Sequence, residues 1–233
     1  MNKKKVKIIA LIPAKKNSKE LKNKNLKKLN GLSLVEIAII NAKKSKFINE
    51  IYLSSDSDKI LDIGKKQKIN VIKRKKHLST RNTSANTLIL DFIKKIRKNN
   101  CDDSILIYLQ PTSPFRNNYH IDLAIKYFFS KKLRVLISVT ENKNFFKSLL
   151  KNGTYLKPYF NDDLVTANRQ TFQKIYSPNG AIYIFYFCDF IKNKKITFGN
   201  SGFYPMNKID SIDIDDKEDY EVAINLSQKY IKI

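Results

Sequence analysis

Three clusters in this 233-residue chain carry side chains suited to phosphate chemistry. The first follows an apolar run, Val6 to Ile12, that stops at Pro13; after it come Lys15, Lys16, Asn17, Ser18, Lys19, Lys22, Lys24 and Asn25. A buried strand ending in ammonium and amide groups offers donors and positive charge to a polyphosphate, and ligands of open α/β sheets bind beyond the carboxyl ends of the strands. The same residues also describe a solvated turn, because charge runs normally face water. The second cluster is Asp213-Ile214-Asp215. In an extended segment residues two apart point the same way, so the two carboxylates repel unless a cation lies between them. Mg²⁺ is commonly held by one or two carboxylates together with substrate phosphates. Helix capping by Asp215 or Asp216 is the alternative, and one Asp can cap while the other coordinates. The third runs from Leu109 to Arg116. Pro111 and Pro114 stiffen a turn directly after an apolar run, leaving Gln110, both donor and acceptor, at the strand's carboxyl end. A stiff loop without further role is the plain alternative, and Arg116 reads as structural.

A fourth stretch, Tyr176 to Ile184, contains Asn179-Gly180, a tight-turn signal, followed by small and then apolar residues. It reads either as a turn before a core strand or as a place where a ligand approaches the backbone. His77 and His120 have no Ser or Cys partner in a triad pattern and are assigned surface or capping roles. The loop after the first strand has neither the dinucleotide glycine fingerprint nor the P-loop pattern.

The elements that must hold these residues alternate. Strand-length apolar runs occur at Val6–Ile12, Glu50–Leu53, Asn70–Ile72, Ser104–Leu109, Val135–Val139 and Gly180–Phe187. Between them lie helical stripes: Leu34, Ile37, Ala38 and Ala42 behind a Ser33 cap; Ile60 and Ile63; Leu88, Ile89, Phe92, Ile93 and Ile96; Ile121, Ala124, Ile125 and Phe128. A last helix carries Val222, Ala223, Leu226 and Tyr230, with Asp216, Glu218 and Asp219 in its first turn. This alternation predicts an α/β fold with a doubly wound, mostly parallel sheet. Residues 1–233 read as a single domain, with 141–178, polar and aromatic without periodicity, as an insertion or arm.

Composition bounds the function. The formal charge is +24, yet only six of 45 basic residues are Arg, so the excess is lysine spread along the chain. A nucleic-acid groove concentrates charge and favours Arg forks, so no nucleic-acid partner is expected; a basic RNA-binding protein is the non-enzyme alternative. Cys101 and Cys188 lack metal-ligand spacing and predict neither a zinc site nor a disulfide framework, which fits a reducing cytoplasm. Lys3–Lys5 and the apolar run read as a first strand rather than a signal peptide, since Lys7 and Pro13 interrupt the run, and no apolar stretch is long enough to cross a membrane.

Taken in order, Ile12 to Lys19, Lys24-Asn25, Ser54-Ser55-Asp56, Leu109 to Arg116, Arg169-Gln170, Pro178 to Ile184 and Ser211 to Asp215 resemble the acylneuraminate cytidylyltransferases, or CMP-sialic acid synthetases, over nearly the whole chain. The run Asn179 to Tyr183 is more like the sialic and legionaminic branch than the pseudaminic branch. The resemblance implies a nucleotide-diphospho-sugar transferase-like fold and transfer of a cytidylyl group from CTP to a nonulosonic acid, with Mg²⁺ as cofactor. It also implies site roles. Lys15, Ser18, Lys24 and Asn25 would hold the triphosphate, with Lys24 nearest the reacting phosphate, and Arg74 would contact the nucleotide. Asp213 and Asp215 would hold the metal. Gln110, Lys147, Arg169 and Tyr183 would face the sugar acid. The arm would make a homodimer. Four positions depart from the family pattern: Lys15 and Ser177 stand where Arg is usual, Glu20 where Gly is usual, and Arg81 where an acid is common. A different nucleotide or sugar acid, or a catalytically weakened member, are the alternative enzyme readings.

Overall fold

A computed structural model of the chain describes residues 6–18, 20–80, 82–97, 103–197 and 199–231, apart from the side chains of Arg97 and Arg169. Lys3–Lys5, Lys19, Arg81 and Cys101 therefore lie outside the described residues. In chain order the elements are β1 (Ile8–Pro13), the short pair β2 (Lys28–Leu29) and β3 (Leu32–Ser33), α1 (Leu34–Lys44), β4 (Glu50–Ser55), α2 (Asp58–Lys66), β5 (Asn70–Lys73), α3 (Ala85–Arg97), β6 (Ile105–Tyr108) and α4 (Asn118–Ser130). Then come β7 (Val135–Glu141), the hairpin β8 (Leu149–Asn152) and β9 (Tyr155–Pro158), α5 (Asp162–Thr166), β10 (Tyr176–Tyr186), α6 (Phe187–Asn193), β11 (Gly202–Pro205) and α7 (Lys217–Tyr230).

Seven strands form one sheet in the order β11-β7-β10-β6-β1-β4-β5. Only β10 is antiparallel to its neighbours; the remaining pairs are parallel. From β1 the chain winds outward through β4 to β5, then returns to β6 on the other side. The switch point between β1 and β6 is where such sheets leave a crevice for ligands.

Alternation along β1 explains the two layers. Ala10 and Ile12 pack with Val35, Ala38, Ile121 and Phe128 from α1 and α4 on one face. Ile9 and Leu11 pack with Ile89 and Phe92 of α3 and Phe190 of α6 on the other. A strand buried on both faces reads as a continuous apolar run, as Ile8–Ile12 does. A third cluster joins Leu29, Leu34, Phe115, Ile214 and Ala223, fastening α7 beside the β2–β3 pair.

Several expectations are refined. β10 begins at Tyr176 rather than Gly180, because Tyr176, Ser177 and Pro178 already pair with β7 before a bulge that spans the Asn179-Gly180 turn. The segment between β7 and β10 adds no strand to the main sheet; it carries the β8–β9 hairpin, whose Tyr155 and Leu156 are exposed. The edge strand β11 is too short for a periodicity signal. Cys188 is disulfide-bonded, which corrects the expectation of no disulfide.

The Ser33 cap is present as a full capping box. Its side chain accepts from the Glu36 backbone N–H, and the Glu36 carboxylate accepts from the Ser33 N–H. Ser33→Ala should lower stability by about 1 kcal/mol, read as a lower urea midpoint with an unchanged slope.

Candidate active site

The loop after β1 is fixed by its own amides. The Lys16 N–H donates to Asp56 Oδ1 at 2.8 Å, and Asn25 Nδ2 donates to the Lys15 carbonyl at 2.8 Å. Asn23, at φ 54, turns the chain into a 3-10 segment, Lys24–Leu26, which brings Lys24 back over the sheet edge. There Lys24 Nζ meets Asp215 Oδ1 at 2.8 Å, across 191 residues of sequence.

Asp215 arrives by a different route. Asp216 caps α7 in a second capping box with Asp219, and the Asp215 N–H also donates to Asp219. The capping reading of the acidic cluster is thus met by Asp216, which leaves the Asp213 and Asp215 carboxylates outside the cap. Asp213 is half-buried, and its Oδ1 is shut off from solvent with no hydrogen-bond partner. Gly180 lets it sit there: at φ +75, a Cβ on Gly180 would lie 3.1 Å from Asp213 Oδ2 and 3.6 Å from Gln110 Oε1. Burial raises the Asp213 pKa above the ordinary carboxylate value; the hydrogen bond from Thr112 opposes this, the nearby Asp215 charge adds to it, and Lys24 lowers it.

A polar frame lies beneath. Arg116 is fully buried and donates from Nη1 to the carbonyls of Gln110 and Ala181, both at 2.9 Å. Its structural role is thereby plain: it ties the Pro111–Pro114 turn to β10. Burial pulls its pKa down to about 10, so it stays charged at neutral pH. Asn179 accepts from Ser138 Oγ at 2.5 Å and donates to Ser211 Oγ at 2.9 Å, linking β7, the bulge and the segment leading to Asp213. His120 is a cap residue whose Nε2 lies 3.2 Å from Asp210, consistent with its assigned role.

Two adjoining compartments open at the switch point. One, of about 230 Å³, is lined by Lys15, Lys24, Asn25, Arg74, Gln110 and Asp215, with Ser79, Thr80, Thr83, Ser84 and Tyr108 on its far wall. The other, of about 430 Å³, adds Asn17, Ser18 and Glu20 and shares Lys15, Lys24 and Asp215 with the first. Arg74 is held on the wall by the Ser54 carbonyl at 2.9 Å, and burial lowers its pKa. Of the residues singled out from sequence, Lys15, Ser18, Lys24, Asn25, Arg74, Gln110 and Asp215 line these compartments, with Asp213 alongside. Tyr183 stands one ring behind, edge-on to Tyr108 at 6.2 Å. Lys147 ends a 3-10 turn in the arm and lines neither compartment. Arg169 falls in another short turn, with its side chain outside the described residues. The hydroxyl-rich wall and Tyr108 escape the sequence reading; the signal was the Ser/Thr density of 79–84 in the loop leaving β5.

A mostly parallel sheet with a phosphate-suited cleft at its switch point is the arrangement of nucleotidyltransferase-like α/β proteins. The chain belongs to the cytidylyltransferase family, whose profile matches residues 9–232. An N-acylneuraminate cytidylyltransferase of Escherichia coli is 32% identical over 225 residues, covering 96% of this chain and 52% of that protein. A CMP-N,N'-diacetyllegionaminic acid synthase of Legionella pneumophila is 30% identical over 228 residues, covering 96% and 97%. The chain thus spans about half the length of the first of these relatives and nearly all of the second. The solved structure of CMP:2-keto-3-deoxy-manno-octonic acid synthetase complexed with CTP shares the fold, with a TM-score of 0.70 at 14% identity over 96% of this chain and 99% of that one.

The raised Asp213 pKa has a signed consequence. Between the ordinary carboxylate value and the raised one, the folded state binds more proton than the unfolded state, so stability falls as pH rises through that window. In metal-free buffer Asp213→Asn should therefore melt higher than the unsubstituted protein at pH 7, and the gap should close as pH is lowered toward 4. Thermal melts with a chelator present check this; a lower melting point for the variant at pH 7 would count against a carboxylate penalised by burial.

Proposed function

We propose that this chain is a cytidylyltransferase that activates a nonulosonic acid of N-acylneuraminate or legionaminate type with CTP, giving the CMP-sugar and pyrophosphate. The observation that carries the reading is the Lys24–Asp215 pair beside the unpartnered Asp213 Oδ1 at the carboxyl edge of β1. Family membership and the relatives' names support the nucleotide and the sugar class.

In this reading Lys15, Ser18, Lys24 and Asn25 hold the triphosphate, and Arg74 contacts the nucleotide. The sugar's anomeric hydroxyl attacks the α-phosphorus; the new O–P bond forms as the bond to the β-phosphate oxygen breaks, and the hydroxyl proton leaves to solvent. Lys24, nearest the α-phosphate, offsets charge on its oxygens, and the rigid cleft holds the partners in line. Gln110 and Tyr183 face the sugar acid from within the chain; Lys147 and Arg169, carried by the arm outside both compartments, would meet its carboxylate only if the arm reaches into the cleft of a second copy. Asp213 and Asp215 would hold Mg²⁺, which supplies charge neutralisation on the phosphates when bound. The residues suit it. No group of three or more metal-ligating side chains occurs among the described residues, and two carboxylates completed by phosphates is a common way to bind this ion.

We further infer a homodimer built on the arm, 141–178. The exposed Leu149, Tyr155, Leu156, Tyr159 and Phe160 support this, being an apolar surface that a partner would cover. The proposed setting is the cytoplasm, in service of cell-surface polysaccharide synthesis, without nucleic-acid or membrane partners. Among the described residues no helix is long and apolar enough to cross a membrane.

Glu20 motivates a second reading, a weakened enzyme, because its carboxylate lines the compartment with Lys15, Ser18 and Lys24. Under the leading reading, pyrophosphate is released from CTP with Mg²⁺ and a sialic or legionaminic acid, and not from ATP, GTP or UTP. Asp213→Asn combined with Asp215→Asn should cut that rate by roughly 100-fold or more; full activity would remove the metal assignment. Glu20→Gly together with Lys15→Arg separates the readings: a large gain in kcat points to an impaired natural loop, and a change confined to the KM for CTP points to a working one.

A further inference from the structure

We propose that Lys24 couples cation and nucleotide binding: its ammonium holds Asp215, beside Asp213, until a triphosphate draws it away. The inference rests on reading this site as one that takes CTP and a divalent cation.

The geometry gives Lys24 the place that a cation would claim. Its Nζ lies 2.8 Å from Asp215 Oδ1, and the Lys24 side chain is only 11% exposed while that of Asp215 is 66% exposed. The ammonium is therefore the sequestered partner and the carboxylate the accessible one. Its field also reaches Asp213, whose Oδ1 it leaves unpartnered. Lys24 is not positioned by chance, since the left-handed Asn23 and the bond from Asn25 to the Lys15 carbonyl fix the turn that carries it.

A dication entering between the two carboxylates would meet this ammonium at contact range. Like charges so close in a partly desolvated site repel strongly. The cation therefore binds well only after Lys24 has moved, and Lys24 moves only for a better anion. Lys24 lines both compartments, so a triphosphate in either is within its reach. Occupancy of the carboxylate pair and of the phosphate subsite then favour each other, and by linkage the coupling is the same in both directions. A cation that arrives without nucleotide is held off, which keeps the free protein from binding divalent ions unproductively.

The test is Mn²⁺ binding to the nucleotide-free protein, followed by the electron paramagnetic resonance of free Mn²⁺. Wild type should bind weakly. Lys24→Met should bind more tightly by on the order of tenfold, within the usual range of coupling between sites, and Lys24→Gln should behave likewise. Melting curves establish that both variants fold. Adding CTP whose α,β-bridging oxygen is replaced by methylene should tighten Mn²⁺ binding to wild type by a larger factor than to Lys24→Met. Equal or weaker Mn²⁺ binding by both folded variants, or a coupling factor unchanged by Lys24→Met, would overturn the proposal. If wild type releases pyrophosphate normally while those results hold, the coupling fails and the cytidylyltransferase reading stands. If Asp213→Asn leaves Mn²⁺ binding intact in the Lys24→Met background, the metal assignment itself fails.

Discussion

A carboxylate with an unpartnered oxygen has been drawn into the protein at Asp213, and much of the surrounding architecture is arranged around that charge. Gly180 removes the side chain that would push it out. Arg116 and Asn179 pin the two backbone segments that flank it, one through carbonyls of the Gln110 turn and β10, the other through Ser138 and Ser211. Ile214, fully buried between the two acids, anchors the segment to the third core cluster. The result is a site whose least satisfied carboxylate is held in place by groups bonded to the backbone and to one another.

Lysine and arginine divide the labour in this chain. Lysine supplies most of the positive charge, yet both arginines at the site are buried and donate to backbone carbonyls: Arg74 to Ser54, Arg116 to Gln110 and Ala181. A planar guanidinium with five donors suits such a setting better than an ammonium, which is more strongly hydrated. The wide scatter of lysine matches a cleft whose polarity comes from a few placed residues.

The layers of the fold were legible because the core strands and helices keep their periods. Val6–Ile12 announced a doubly buried strand, and the α1, α3 and α4 stripes all pack on the faces expected of them. The candidate site was legible just past strand ends, at Lys15 and Gln110, and just before a helix start, at Asp215. It was not legible where distant segments converge. Nothing in the sequence brings Ser79 and Thr80 opposite Lys24, because that contact depends on how the β5–α3 loop folds back. The short strands β2, β3 and β11 form through pairing alone and leave no pattern to read. The disulfide at Cys188, in α6, was missed because cysteine spacing says little about which distant segments approach each other.

The reversed strand β10 has a consequence for how this protein can vary. Running against its neighbours, it presents its beginning, not its end, at the edge where the cleft opens. Whatever chain precedes it must therefore emerge beside the site, and here that chain is the hairpin-bearing segment from 142 to 175, which contributes nothing to the central sheet. Such a segment is a natural graft point: its length and sequence can drift while the central sheet and the cleft residues after β1, after β6 and before α7 stay fixed.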